Sequence, residues 1–194
     1  MKRNIENELW GKTLLSLYRH FGVMANSIDN LVRRIGINSA FRHTIYDSTI
    51  VDSNKILELT ERKIKIINLK VIVEDILADL NMKDLKILTL CYVDGVEYKK
   101  IIKLLNINQR TFFRRKEIAI ARFSNKLVEI GYDADKLEKY LHNENWIKNT
   151  YYQIVNSTAS RLVSDKKTKS QYQLIRSVLD DFGCNINHSF SCFY

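Results

Sequence analysis

The chain is 194 residues long with 45% hydrophobic residues, enough for one large domain or two small ones and too apolar for wholesale disorder. It has no proline and only six glycines, a scarcity that disfavours a many-stranded β fold and favours long helices. Lys and Arg exceed Asp and Glu by nine, with a pI near 9.4; this balance suits nucleic acid or an acidic surface and does not by itself choose between them.

In chain order, apolar positions Leu9, Trp10, Leu14, Leu17, Tyr18 and Phe21 recur at helical spacing and predict a first helix that Gly22 stops. Ile28, Leu31, Val32 and Ile35 predict a second, about Ser27 to Ile35. Residues 36–53 carry Ser, Thr, Asp and Asn without clear period and are expected to connect. From about Asn54 to Leu80 the apolar residues Ile56, Leu59, Ile66, Leu69, Val73, Ile76 and Leu80 predict one long helix. Ile67, Val71, Ile72 and Leu77 widen its stripe beyond a coiled-coil seam, which favours an intramolecular scaffold and leaves homodimerisation open.

The segment 81–127 carries the functional expectation. Asn81-Met82-Lys83-Asp84 resembles a capping box opening a helix with Leu85, Leu88, Leu90 and Tyr92, which Asp94-Gly95 ends. Tyr98, Ile101, Ile102, Leu104 and Leu105 lie on the next helix; Tyr92 and Tyr98 are expected in the core. Asn106-Ile107-Asn108 forms the turn: Asn106 tolerates the left-handed conformation, Ile107 plugs the core and Asn108 caps the following helix. That helix runs from Gln109 to about Leu127, with Phe112, Ala119, Phe123 and Leu127 as its buried side. Two short helices around a tight turn define a helix-turn-helix, whose second helix meets the major groove.

On the outer side stand Gln109, Arg110, Phe113, Arg114 and Glu117 as base-reading candidates. Arg forks onto guanine and Gln onto adenine, and an aromatic edge meets a thymine methyl. Phe113, beside Phe112, fits the core equally well. Lys99, Lys100, Lys103, Arg115, Lys116, Arg122 and Lys126 are candidates for phosphate contact, which fixes register without reading sequence. From Glu97 to Lys126 there are nine basic and two acidic residues, so plus seven of the chain's plus nine sits on the motif.

Residues 80–127 resemble region four of bacterial sigma factors and the related ArpU type of phage regulator. The matching pieces are Leu80, the Leu85-to-Tyr92 helix, Asp94-Gly95, Tyr98 with Ile101, Leu105-Asn106-Ile107-Asn108, then Thr111, Phe112, Ala119 and Phe123. The resemblance covers about a quarter of the chain. It implies that the helix from Gln109 reads a promoter or operator in double-stranded DNA, and that RNA polymerase is a further partner. The pattern departs at Glu97, where the family has a Ser or Thr cap, at Ile102 for a small residue, at Asn106 for glycine and at Arg115 for an apolar residue.

Beyond Gly131, helices are expected over Asp133 to Leu141, Asn145 to Val155 and Tyr172 to Phe182, with a basic polar stretch at Ser164 to Ser170 and a loose tail from Gly183. Three cysteines make no paired framework, and no apolar run approaches the ~20 residues that span a bilayer, so the expectation is a cytoplasmic protein with reduced thiols. Cys184, His188 and Cys192 supply three metal-compatible ligands where structural zinc takes four, and no metal or other cofactor is expected. Phosphate-cradling glycine loops, His-Glu metal motifs and nucleophile elbows are absent from the sequence, and no enzyme is expected.

The expected fold is therefore all-α: a helical scaffold over 1–80, a helix-turn-helix domain over 81–130 and a helical region over 131–194. The expected function is a sequence-specific transcriptional regulator, of phage or mobile-element type. The alternatives are an adaptor docking on polymerase or another protein, and an RNA-binding factor.

Overall fold

The computed structural model describes residues 2–41 and 46–159. The fold is all-α, with seven α-helices among the described residues. They are α1 (Lys2–Phe41), α2 (Tyr46–Ala78), α3 (Met82–Leu88), α4 (Tyr98–Leu105), α5 (Gln109–Glu129), α6 (Ala134–Tyr140) and α7 (Asn145–Ala159). A π-helical turn, Thr89–Val93, continues α3. The expected helix from Tyr172, the basic stretch at Ser164 to Ser170 and the Cys184, His188, Cys192 trio lie outside the described residues.

The N-terminal half differs from expectation in a simple way. Gly22 does not stop a helix; α1 runs through it and through Gly36, and the positions expected to connect are helical over 36–41 and 46–53. An interior glycine costs about 1 kcal/mol relative to alanine. The apolar period outweighs that: Trp10, Leu14, Leu17, Phe21, Met24, Ile28 and Leu31, stepping by four and three, are all buried. Polar composition alone marks a loop poorly when no proline interrupts it.

Contacts divide the described chain into two compact units. One comprises residues 17–79, and the other joins residues up to 16 with those from 80 onward. The first is an antiparallel helical hairpin. Leu59, Arg62, Ile66, Leu69, Val73 and Ile76 of α2 are buried, and Tyr18 Oη donates to Glu74 Oε1 (2.6 Å) while Lys63 Nζ reaches Asp29 Oδ1 (2.6 Å). Ile67 and Val71, expected to widen the buried stripe, are instead exposed.

In the second unit, α6 and α7 form where the sequence predicts helices, and α6 has its cap. Asp133 accepts from the Lys136 N–H at 2.9 Å, and the buried Glu144 accepts from Trp146 Nε1 at 2.9 Å. The start of α1 belongs here. Trp10 stacks on Tyr151 with centroids 4.3 Å apart, and Asn7 Oδ1 accepts from the Ala134 N–H. Gly11 lies so close to α5 that a Cβ there would stand 2.1 Å from Ser124 Oγ, so only glycine fits that approach without a shift.

Candidate nucleic-acid interface

The motif is built on a small core of Ile87 from α3, Ile101 from α4 and Phe112 from α5, all buried. Leu90, Cys91, Val96, Ile102, Leu105 and Ile107 pack around it. Asn81 caps α3 by accepting from the Asp84 N–H at 3.0 Å. The chain then reverses at Gly95, whose φ of 64° needs the freedom of glycine, and the Val96 N–H closes onto the Leu90 carbonyl at 2.8 Å. Glu97 precedes α4 without a side-chain capping bond, as a carboxylate standing where Ser or Thr is usual.

Between α4 and α5 the turn is tight and its chemistry is explicit. Asn106 adopts φ 48°, ψ 50°, the left-handed region that Asn tolerates better than other side chains bar glycine. The Ile107 N–H bonds back to the Ile102 carbonyl at 3.2 Å, satisfying an orphan acceptor at the end of α4. Asn108 Oδ1 accepts from the Thr111 N–H at 2.7 Å and starts α5. Phe112, Ala119, Phe123 and Leu127 form the buried side of α5, with Ile120 and Ser124 beside them.

The base-reading candidates Gln109, Arg110, Phe113, Arg114 and Glu117 are all exposed. Phe113 is not core: it is 42% exposed, and its ring is propped by Phe112 (centroids 5.2 Å, edge-on) and by Tyr98 (5.8 Å). Tyr98, expected in the core, is exposed as well, because its ring leaves the start of α4 to meet Phe113 rather than the Ile101 cluster. Tyr92 is inside, its hydroxyl buried without a hydrogen-bond partner among the described residues; burial pushes its phenol pKa upward. Burial likewise pushes the neighbouring Cys91 thiol up, which keeps it protonated.

The phosphate-contact candidates divide into two groups. Lys99, Lys100, Lys103 and Arg115 are exposed. Lys116 lies over the Tyr92 ring at 4.9 Å from its centroid, and Lys126 Nζ stands 3.3 Å from Glu129 Oε2. Arg122 Nη1 donates to Asp84 Oδ2 at 2.5 Å, tying α5 to the first turn of α3. That tie was missed in the sequence, where 38 residues separate the partners. The signal available was an Asp at the third position of α3, next to apolar residues, needing a cation once buried.

Among the described residues no group of three or more His, Cys, Asp or Glu side chains is placed to hold a metal ion, and no helix is long and apolar enough to cross a membrane. Compared with protein-family models, curated proteins and solved structures, the chain matches none.

Proposed function

We propose that the protein is a sequence-specific DNA-binding transcriptional regulator that lays the N-terminal half of α5 in the major groove. One observation carries the reading. Arg110 and Arg114, one turn apart, are exposed on α5 while Phe112, Ala119 and Phe123 fix its opposite side, and a left-handed Asn and an Asn cap join it to a lysine-bearing α4. Two exposed guanidinium groups one helical turn apart at the start of such a helix are the donors that fork onto guanine in the major groove. The basic residues of α4 and Arg115 supply sequence-independent attraction to phosphates.

The resemblance of residues 80–127 to sigma region four supports the same reading and adds RNA polymerase as a second partner. On this reading the protein works in the cytoplasm as an accessory regulator of phage or mobile-element type.

Selection of bound genomic fragments, followed by gel shifts at two salt concentrations, tests the proposal. Arg110→Ala or Arg114→Ala should weaken the selected fragment by about 1–3 kcal/mol relative to random duplex. Lys99→Ala should lower affinity for both alike and flatten the salt dependence. Indifference of the wild-type protein to fragment sequence would reject specific readout.

A further inference from the structure

Two apolar rows run along opposite sides of α2. The buried row, Leu59, Ile66 and Val73 with Leu69 and Ile76, faces α1 within the hairpin. The other row is Ile50, Leu57, Ile64 and Val71, spaced at strict intervals of seven and exposed by 53%, 60%, 51% and 46%; Ile67, 39% exposed, stands one turn after Ile64. Single exposed aliphatic residues need no explanation. Four in one register do, because a seven-residue repeat stays aligned only along a left-handed supercoil, the path along which a second helix lies. The hairpin's own seam already follows this period, so the outer row keeps one line down the helix.

We infer that this row is where a second copy of the chain docks, α2 against α2, parallel and in register. The occupant and the direction follow from the flanking charges. Lys63 and Lys70 immediately precede Ile64 and Val71 on one flank, and Glu61 and Asp75 follow Leu57 and Val71 by four on the other. In a parallel pair each residue of the first flank faces the second flank of the other copy, five positions further on, so Lys70 meets Asp75. An antiparallel pair sets Lys63 and Lys70 against the same lysines and Glu61 and Asp75 against the same carboxylates.

Lys63 is held by Asp29 within the hairpin, and five positions on from it stands the neutral Asn68. Direction therefore rests on Lys70, whose partly exposed ammonium stands 3.7 Å from Glu74 in its own helix and meets Asp75 of the other copy. Ser53, Thr60 and Glu74 share the seam with Ile67, and these polar residues make the pairing reversible rather than obligate. The inference concerns the hairpin alone and stands whether or not the protein binds DNA.

Sedimentation equilibrium of the full chain over a concentration series tests it. The wild type should move from monomer to dimer mass, and Ile64→Glu should stay monomeric with an unchanged far-UV spectrum, the side chain being half exposed. Val71→Lys serves as the second variant should the first lose helix. A wild type that stays monomeric throughout, or a dimer indifferent to both substitutions, overturns the inference.

Direction is read from single cysteines in a background with Cys91, Cys184 and Cys192 replaced by Ser and with parental sedimentation. Leu57→Cys and Val71→Cys should each cross-link to themselves. Cross-linking only when the two are mixed would mean antiparallel pairing and overturn the assignment.

Discussion

Arg122 is the residue at which two physical roles separate most cleanly. Its partner Asp84 is 7% exposed and accepts from Arg122 Nη1 and from Asn81 Nδ2, both at 2.5 Å, while Arg122 itself is 55% exposed. The two truncations are therefore unequal. Asp84→Ala frees an arginine that turns to water, so the loss is that of charge-assisted hydrogen bonds to a half-exposed partner, at the low end of their range, about 1.5–2 kcal/mol. Arg122→Ala strands a buried carboxylate. One-sided removal from a buried pair costs roughly 3–5 kcal/mol, reduced here because Asn81 remains and the start of α3 contributes about 0.3–1 kcal/mol.

The expectation for Arg122→Ala is thus about 2–3 kcal/mol, larger than for Asp84→Ala, with the double variant well short of the sum. Both tryptophans, Trp10 and Trp146, lie in the unit that holds this pair, so their fluorescence in a urea titration reports its unfolding. Under folding conditions Arg122→Ala should leave the salt dependence of DNA binding unchanged, whereas loss of a phosphate contact lowers the slope by about 0.9. A stability change under about 0.5 kcal/mol together with a lowered slope would refute the assignment of Arg122 to the fold.

Two further outcomes concern the turn and the outer side of α5. Asn106→Ala should lower the stability of the motif by about 1 kcal/mol, because alanine meets the Cβ cost of a positive φ without the short polar side chain that offsets it in Asn. Asn106→Gly, which has no Cβ, should not; equal losses in thermal melts would mean that the side chain, not the backbone, matters. If the propped Phe113 ring meets a thymine methyl, replacing one thymine of the selected fragment by deoxyuridine should cost about 0.8 kcal/mol. Phe113→Ala should abolish that sensitivity, and a variant that keeps it rules out the contact.

His20 has its pKa lowered below 6.5, first by burial and then by Arg19, and its Nδ1 is buried without a partner among the described residues. The unfolded chain therefore takes up a proton near pH 6.5 that the folded chain resists, so stability is full above that pH and lost below it. His20→Leu should flatten the acid limb of urea midpoints followed by far-UV circular dichroism, and an unchanged limb would exclude His20 as its source.

Over residues 81–140 the local chemistry was legible because the boundaries are set by neighbours in sequence. Asn81, Asn108 and Asp133 cap the helices they precede, Asn106 takes the left-handed turn, and α4 spans Tyr98–Leu105 as its apolar period requires. The N-terminal half was less legible, since whether Gly22 ends a helix depends on what packs on either side of it. The direction of an aromatic ring is less legible still. Tyr98 and Phe113 have the composition of core residues and stand outside, because Ile87, Ile101 and Phe112 already fill the space between the three helices. Ile67 and Val71 mislead for the same reason: a helix with two apolar rows and a helix with one wide row have nearly the same composition.

The nine cations between Glu97 and Lys126 are consequently not one patch. Lys116, Arg122 and Lys126 are engaged with Tyr92, Asp84 and Glu129, whereas Lys99, Lys100 and Lys103 of α4 and Arg110, Arg114 and Arg115 of α5 are exposed. If α4 holds phosphates and α5 reads bases, the geometry between the two sets is fixed by three consecutive residues, Asn106, Ile107 and Asn108. A change in that turn touches neither set, yet it displaces one against the other. Attraction to phosphates is long-ranged and tolerates such a shift, while a bidentate arginine does not. Specific affinity should therefore be the first property lost when the turn is altered, well before affinity for DNA in general.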